Sequence, residues 1–150
     1  MKLPSVAALV LLLASVAAGT AVHATPVSGA RELVTAYFRQ MFEEKNVEAA
    51  MEAYVAPDLI QHDPYLPDGA AAMTDFFVPY FEQHPQSSVQ IKRVLADGDM
   101  VTVLSLWKES PEDNGQAAVD IYRVESGRIV EQWRVSQEIP DHPANRNTMF

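Results

Sequence analysis

No cysteine occurs in the 150 residues, so disulfides, thiol nucleophiles, zinc–thiolate sites and a lipidated N-terminal cysteine are excluded. Positive charge is also scarce. Eleven Lys and Arg stand against 20 Asp and Glu, for a formal net charge of −9 and a pI near 4.8. With no basic stretch, neither nucleic acid nor an anionic membrane surface is expected as a partner. The acidic balance by itself argues only for solubility. There are no internal repeats and no linker, and the longest apolar run falls short of the roughly 20 residues of a spanning helix. What is present is 48% hydrophobic, which at this length suits one domain with a core of its own.

The first 24 residues read as a leader rather than as part of the fold. Met1-Lys2 gives a short positive start, Val6 to Ala18 is apolar, and Val22-His23-Ala24 fits the small-x-small cleavage pattern before Thr25-Pro26. The expectation is a signal peptide over residues 1–24 and a mature domain over 25–150, exported to the periplasm or secreted, with no membrane attachment after cleavage. An uncleaved N-terminal anchor is the alternative.

Helical periodicity opens the mature chain. Leu33, Val34, Tyr37, Phe38, Met41 and Phe42 form one apolar stripe of a helix over residues 29–45. Asn46 is placed to cap a second helix, Val47 to Val55, which must stop before Pro57. Leu59 to His62 reads as a short strand and the Pro64–Pro67 segment as a loop. Asp68-Gly69 opens a third helix from Ala70, with a kink or break expected at Pro79. From Val89 the period becomes two. Asp97-Gly98-Asp99-Met100 signals a type I′ hairpin, Val101 to Trp107 returns, and residues 118–124 and 129–135 flank a second turn at Ser126-Gly127. Helices first and then consecutive antiparallel strands make an α+β fold, a curved sheet with helices over one face. Residues 138–150 read as an extended tail.

The last hairpin carries the functional signal, because Asp120 interrupts an otherwise apolar strand. A two-residue loop at Ser126-Gly127 pairs Glu125 with Arg128, Tyr122 with Glu131 and Asp120 with Trp133. Directly opposed residues share a face, so Asp120, Tyr122, Glu131 and Trp133 are expected to line one pocket wall, with Arg123 and Arg134 on the other side. Tyr37 is a further pocket candidate or simply a core ring that satisfies Asp120. His62 is a pocket acid, base or donor, or else a loop-capping histidine. His62-Asp63, His84 and Asp141-His142 lack convergent ligand spacing, so no metal site is expected.

Several stretches resemble the SnoaL-like polyketide-cyclase family of the NTF2-like superfamily. They are Ile60-Gln61-His62-Asp63-Pro64, Asp68-Gly69, Ile91-Lys92-Arg93-Val94 before Gly98-Asp99, Val119 to Val124, Gly127 to Trp133, and Asn147-Thr148-Met149-Phe150. The resemblance covers roughly residues 29–150. The resemblance implies an NTF2-like cone, with a curved, mostly antiparallel sheet, three N-terminal helices on its concave face, a mostly apolar pocket and a homodimer through the sheet. It also implies that Asp120 is the acid/base of an aldol-type closure needing no metal or organic cofactor, with His62 or a tyrosine as donor. Leu104, Leu106, Gln132 and Arg134 stand where relatives often carry His or Asp. The sequence therefore leads to two readings. One is a cofactor-independent cyclase or isomerase acting on a carbonyl compound, with Asp120 and His62 catalytic and Tyr37, Tyr122, Glu131 and Trp133 binding. The other is a small-ligand-binding protein without catalysis.

Overall fold

The structure, a computed structural model, describes residues 29–150. The expected signal peptide and the first residues of the domain lie outside the described residues. Helix α1, Ala30–Phe38, continues as a π-helical segment, Arg39–Glu43, in which the Glu44 N–H reaches back five residues to the Arg39 carbonyl. Lys45, at φ +56°, ends that run. Helix α2, Val47–Tyr54, follows Asn46 as expected, but the Asn46 side chain makes no capping bond; only its backbone carbonyl joins, accepting from the Ala50 N–H. Strand β1 spans Val55–Gln61 and so starts earlier than expected. Helix α3, Ala70–Gln83, runs unbroken through Pro79. Strands β2 (Ser88–Asp97), β3 (Met100–Lys108), β4 (Gln116–Glu125) and β5 (Arg128–Glu138) complete the chain.

The five strands form one sheet in the order β1-β5-β4-β3-β2, antiparallel except where β1 runs parallel to β5. The helices cover its concave face, giving the α+β cone expected from the sequence. Phe42 sits at the centre, in edge contact with Phe77 of α3 and Trp107 of β3, with ring centroids 5.4 and 4.9 Å away. Each such fully buried ring contributes about 1.5–3 kcal/mol. The β2–β3 turn differs from expectation. Gly98 has φ +60° but Asp99 is not left-handed, the φ signs of a type II′ turn. Ser126 (φ +51°) and Gly127 (φ +76°) are both left-handed, as type I′ demands.

The consequential difference lies in β5. Glu125 pairs with Arg128 and Val124 with Ile129, but the next pair is Arg123 with Glu131. Val130 is thus the extra residue of a β-bulge, and every later residue of β5 changes face. Tyr122 faces Gln132, and Asp120 faces Arg134. Glu131 and Trp133 move to the convex face, contrary to the expected pairing. Beyond Glu138 the tail lies against that convex face. Met149 lines a groove with Leu104, Val119 and Val135, and the Lys92 ammonium lies 5.3 Å from the Phe150 ring.

Candidate functional site

Asp120 is fully buried on the concave face, at 0% exposure. Its neighbours follow from strand register. Arg134, directly opposite on β5, donates from Nη1 to Oδ1 at 3.3 Å and to Oδ2 at 3.4 Å. Burial raises the carboxyl pKa above its ordinary value; the Arg134 charge and hydrogen bonds from Arg134 and Gln132 pull against that, and the charge of Asp63 adds to the rise. The expectation that both arginines avoid the Asp120 face holds for Arg123 and fails for Arg134, because of the bulge.

Beside Asp120 lie two buried phenols. Tyr37 of α1 meets Tyr122 of β4 edge to face, centroids 5.6 Å apart. Burial pushes both hydroxyls well above the ordinary tyrosine range, and the nearby Asp120 charge adds to it. The Tyr122 hydroxyl is buried without a hydrogen-bond partner among the described residues. An unpaired buried hydroxyl costs about 1–3 kcal/mol, so this tyrosine is held by packing.

The other three predicted residues gather on the opposite face. His62 Nε2 and Glu131 Oε1 are 2.8 Å apart, Arg123 Nε donates to Glu131 Oε2 at 2.8 Å, and the His62 ring stacks on Trp133 at 4.5 Å with 2° between planes. Hydrogen bonds from His62 and Arg123 hold the Glu131 carboxyl below its usual range. His62 follows β1, whose end runs parallel to β5 at Glu131 and Gln132. A histidine placed there meets the outward side chains of β5. Asp120 and His62, expected to act together, are therefore separated by the sheet.

A cavity of about 460 Å³ opens between α3, the 62–69 loop and the concave face. None of the six sequence-predicted residues lines it. Its walls are Phe76, Phe77, Tyr80, Trp107 and Leu66, its polar groups include Arg134, Gln132, Asp63 and Glu109, and Tyr65 stands at the mouth. The loop is pinned by the Asp68 carboxylate, which accepts from the Gln61 N–H at 2.7 Å, and by the Gly69 N–H, which donates to the Leu59 carbonyl at 2.8 Å. The Arg134 guanidinium lies 4.0 Å from the centre of the Trp107 ring, and the Trp107 indole N–H is fixed by Ser105 Oγ at 3.0 Å. Arg134 and Gln132 form both the cavity floor and the contacts of Asp120, so Asp120 sits one side chain below the cavity. Sequence reasoning missed Trp107, and discounted Arg134 by placing it on the other side of the sheet. The signal for Arg134 was available in the need of a buried carboxylate for a cation on its own face. Among the described residues, no three His, Asp or Glu side chains converge as metal ligands.

The model of the SnoaL-like domain family matches residues 34–132. No curated protein matches the chain. Among solved structures, a candidate polyketide cyclase from Acidithiobacillus ferrooxidans is 22% identical with a TM-score of 0.58, over 75% of this chain and 91% of that one. One from Bacillus cereus is 20% identical with a TM-score of 0.60, over 71% and 73%. An uncharacterised cystatin-fold protein from Novosphingobium aromaticivorans is 16% identical with a TM-score of 0.63, over 71% and 97%. At these identities the likeness is one of fold.

Proposed function

The chain belongs to the SnoaL-like domain family, and from that premise we propose that it binds a small carbonyl compound in the aromatic cavity and enolises it without a cofactor, Asp120 being the base. The observation that carries this is a fully buried carboxylate, its pKa raised by desolvation, under the floor of that cavity. A carboxylate whose pKa is raised by burial is a stronger base, which suits removal of a proton alpha to a carbonyl. Arg134 lies between Asp120 and the cavity, so the step requires its guanidinium to turn aside and let the substrate reach the carboxylate. That same covering favours the second reading, a binding protein in which the Asp120–Arg134 pair only shapes the floor. The imidazole of His62 faces the other side of the sheet and assists neither. The domain is proposed to be exported by its N-terminal leader and paired through the convex face, where Leu95 and Val135 are exposed.

The two readings separate in an exchange measurement. Deuterium uptake alpha to the ketone of 2-tetralone, followed by NMR, is expected to be faster with the protein than in buffer. Asp120→Asn is expected to slow it by about 10²-fold or more, the usual weight of a general base, with tetralone binding retained. Exchange in the wild type at the buffer rate would remove the enzyme reading and leave the binding one.

A further inference from the structure

The charged groups of the cavity are unevenly placed. Arg134 is the cation of its lining, set against Trp107 at the inner wall; the half-buried Asp63, whose charge reaches Asp120, and the exposed Glu109 are its acids. A guanidinium has five N–H donors in a fixed fork. Among the described residues only Nη1 is used, in two long contacts of 3.3 and 3.4 Å shared over both oxygens of Asp120. Nε and Nη2 have no protein acceptor, and the side chain keeps 15% exposure. The walls around it are flat rings, Phe76, Phe77, Tyr80 and Trp107.

We propose that the ligand of this cavity is a planar apolar monocarboxylic acid, oriented with its carboxylate on Arg134 and its body between the aromatic walls. The inference rests on the reading of the cavity as a ligand site, and deepens it to a substrate class. Arg–carboxylate pairs are bidentate where two donors are available, and this arginine has two unspent. A neutral ligand of the same shape would leave them unspent. Glu109 is exposed, where water and salt screen it; with the half-buried Asp63 it disfavours a second negative charge on the ligand. The two acids also make a cationic ligand the natural rival.

Three probes of one shape decide among these: 2-naphthoate, 2-naphthamide and 2-naphthylmethylammonium, titrated calorimetrically into the full domain at neutral pH. Naphthoate is expected to bind at least about tenfold more tightly than naphthamide, the ratio of one charged hydrogen-bonded pair. Arg134→Gln is expected to abolish that preference while leaving naphthamide affinity within about twofold. Because a lone buried Asp120 weakens the single variant, the Asp120→Asn/Arg134→Gln double variant, which removes both charges, is measured beside it and is expected to behave alike. Equal affinity for naphthoate and naphthamide in the wild type, or a preference for the ammonium, overturns this inference and leaves the ligand cavity standing. Failure of all three probes to bind overturns the cavity reading itself, and this inference with it.

Discussion

Replacing Arg134 by glutamine should destabilise the protein far more at pH 8 than at pH 5. In the wild type the fully buried Asp120 has Arg134 as its cation. Breaking such a pair from one side costs about 3–5 kcal/mol, because the remaining charge is left in a poorly solvating interior. Loss of the guanidinium from the face of Trp107 adds about 1 kcal/mol. The sign of the pH dependence follows from burial. Asp120 already has its pKa raised by desolvation against the pull of Arg134, and without Arg134 it rises further. For an acid whose folded pKa exceeds its unfolded one, the folded state holds the extra proton between the two values. Stability therefore falls as pH rises through that window, by about 1.4 kcal/mol per unit. The window opens near pH 4, the ordinary carboxylate value, and extends upward to the folded value.

The measurement is urea unfolding followed by tryptophan fluorescence between pH 5 and 8, reported as the wild-type-minus-variant difference so that other carboxylates cancel. The gap should be several kcal/mol at pH 8 and narrow toward pH 5. Asp120→Asn should cost less, about 1–2 kcal/mol, since Arg134 is partly exposed and keeps Trp107. In the double variant the losses should not add. A gap constant across this range, or equal losses for the two single variants, would refute the assignment of Asp120 as a buried carboxylate sustained by Arg134.

Two further outcomes test the frame of the site. Gly115 has φ +85°, and a Cβ there would collide with the Trp107 carbonyl oxygen; Gly115→Ala should cost roughly 1–3 kcal/mol, a Tm drop on the order of 4–12 °C. Gly127, at φ +76° with nothing near it, feels only the backbone strain, so calorimetry should find Gly127→Ala the milder of the two. Pairing through the convex face predicts a light-scattering mass twice that of one chain, and Val135→Lys, at an exposed position, should halve it. A wild type that scatters as a single chain would rule the pairing out.

The fold was legible because its signals are local. The apolar stripe from Leu33 to Phe42, the proline after α2, and the turns at Gly98 and Gly127 each fix an element within a few residues. The faces of β4 were legible too, and Asp120 does point inward. What misled was β5. Of its two alternating sets, Glu131-Trp133-Val135 holds two apolar residues and Gln132-Arg134-Ser136 none, so period-two reasoning turned the wrong set inward. Val130 is β-branched and carries no glycine signal for a bulge. A one-residue slip then moved Glu131 and Trp133 out and took His62, which pairs beside them, out as well. Of the cavity walls on α3, Phe77 is buried, Tyr80 half-buried and Phe76 exposed. Their role as a ligand wall depends on how far α3 stands from the sheet, a distance no local pattern encodes.

The physical reason for the bulge can be given from charge. In the straight register, Tyr122 would face Glu131 and Asp120 would face Trp133, placing two carboxylates on the buried concave face with Arg123 and Arg134 both outside. Neither acid would have a cation, and each would carry a desolvation cost of several kcal/mol. The bulged register converts this into two cross-strand pairs, Asp120 with Arg134 inside and Arg123 with Glu131 outside. Against that stands one disrupted rung of the ladder at Val130, about 1 kcal/mol. The balance favours the bulge by a wide margin. It also shows that the site is built as a pair: with Asp120 replaced by a neutral residue, the charge argument for the bulge loses its inner half. Backbone amide shifts of residues 129–134 in Asp120→Leu would then report a mixture of registers, whereas in Asp120→Asn, which still accepts a hydrogen bond from Arg134, the single bulged register should persist.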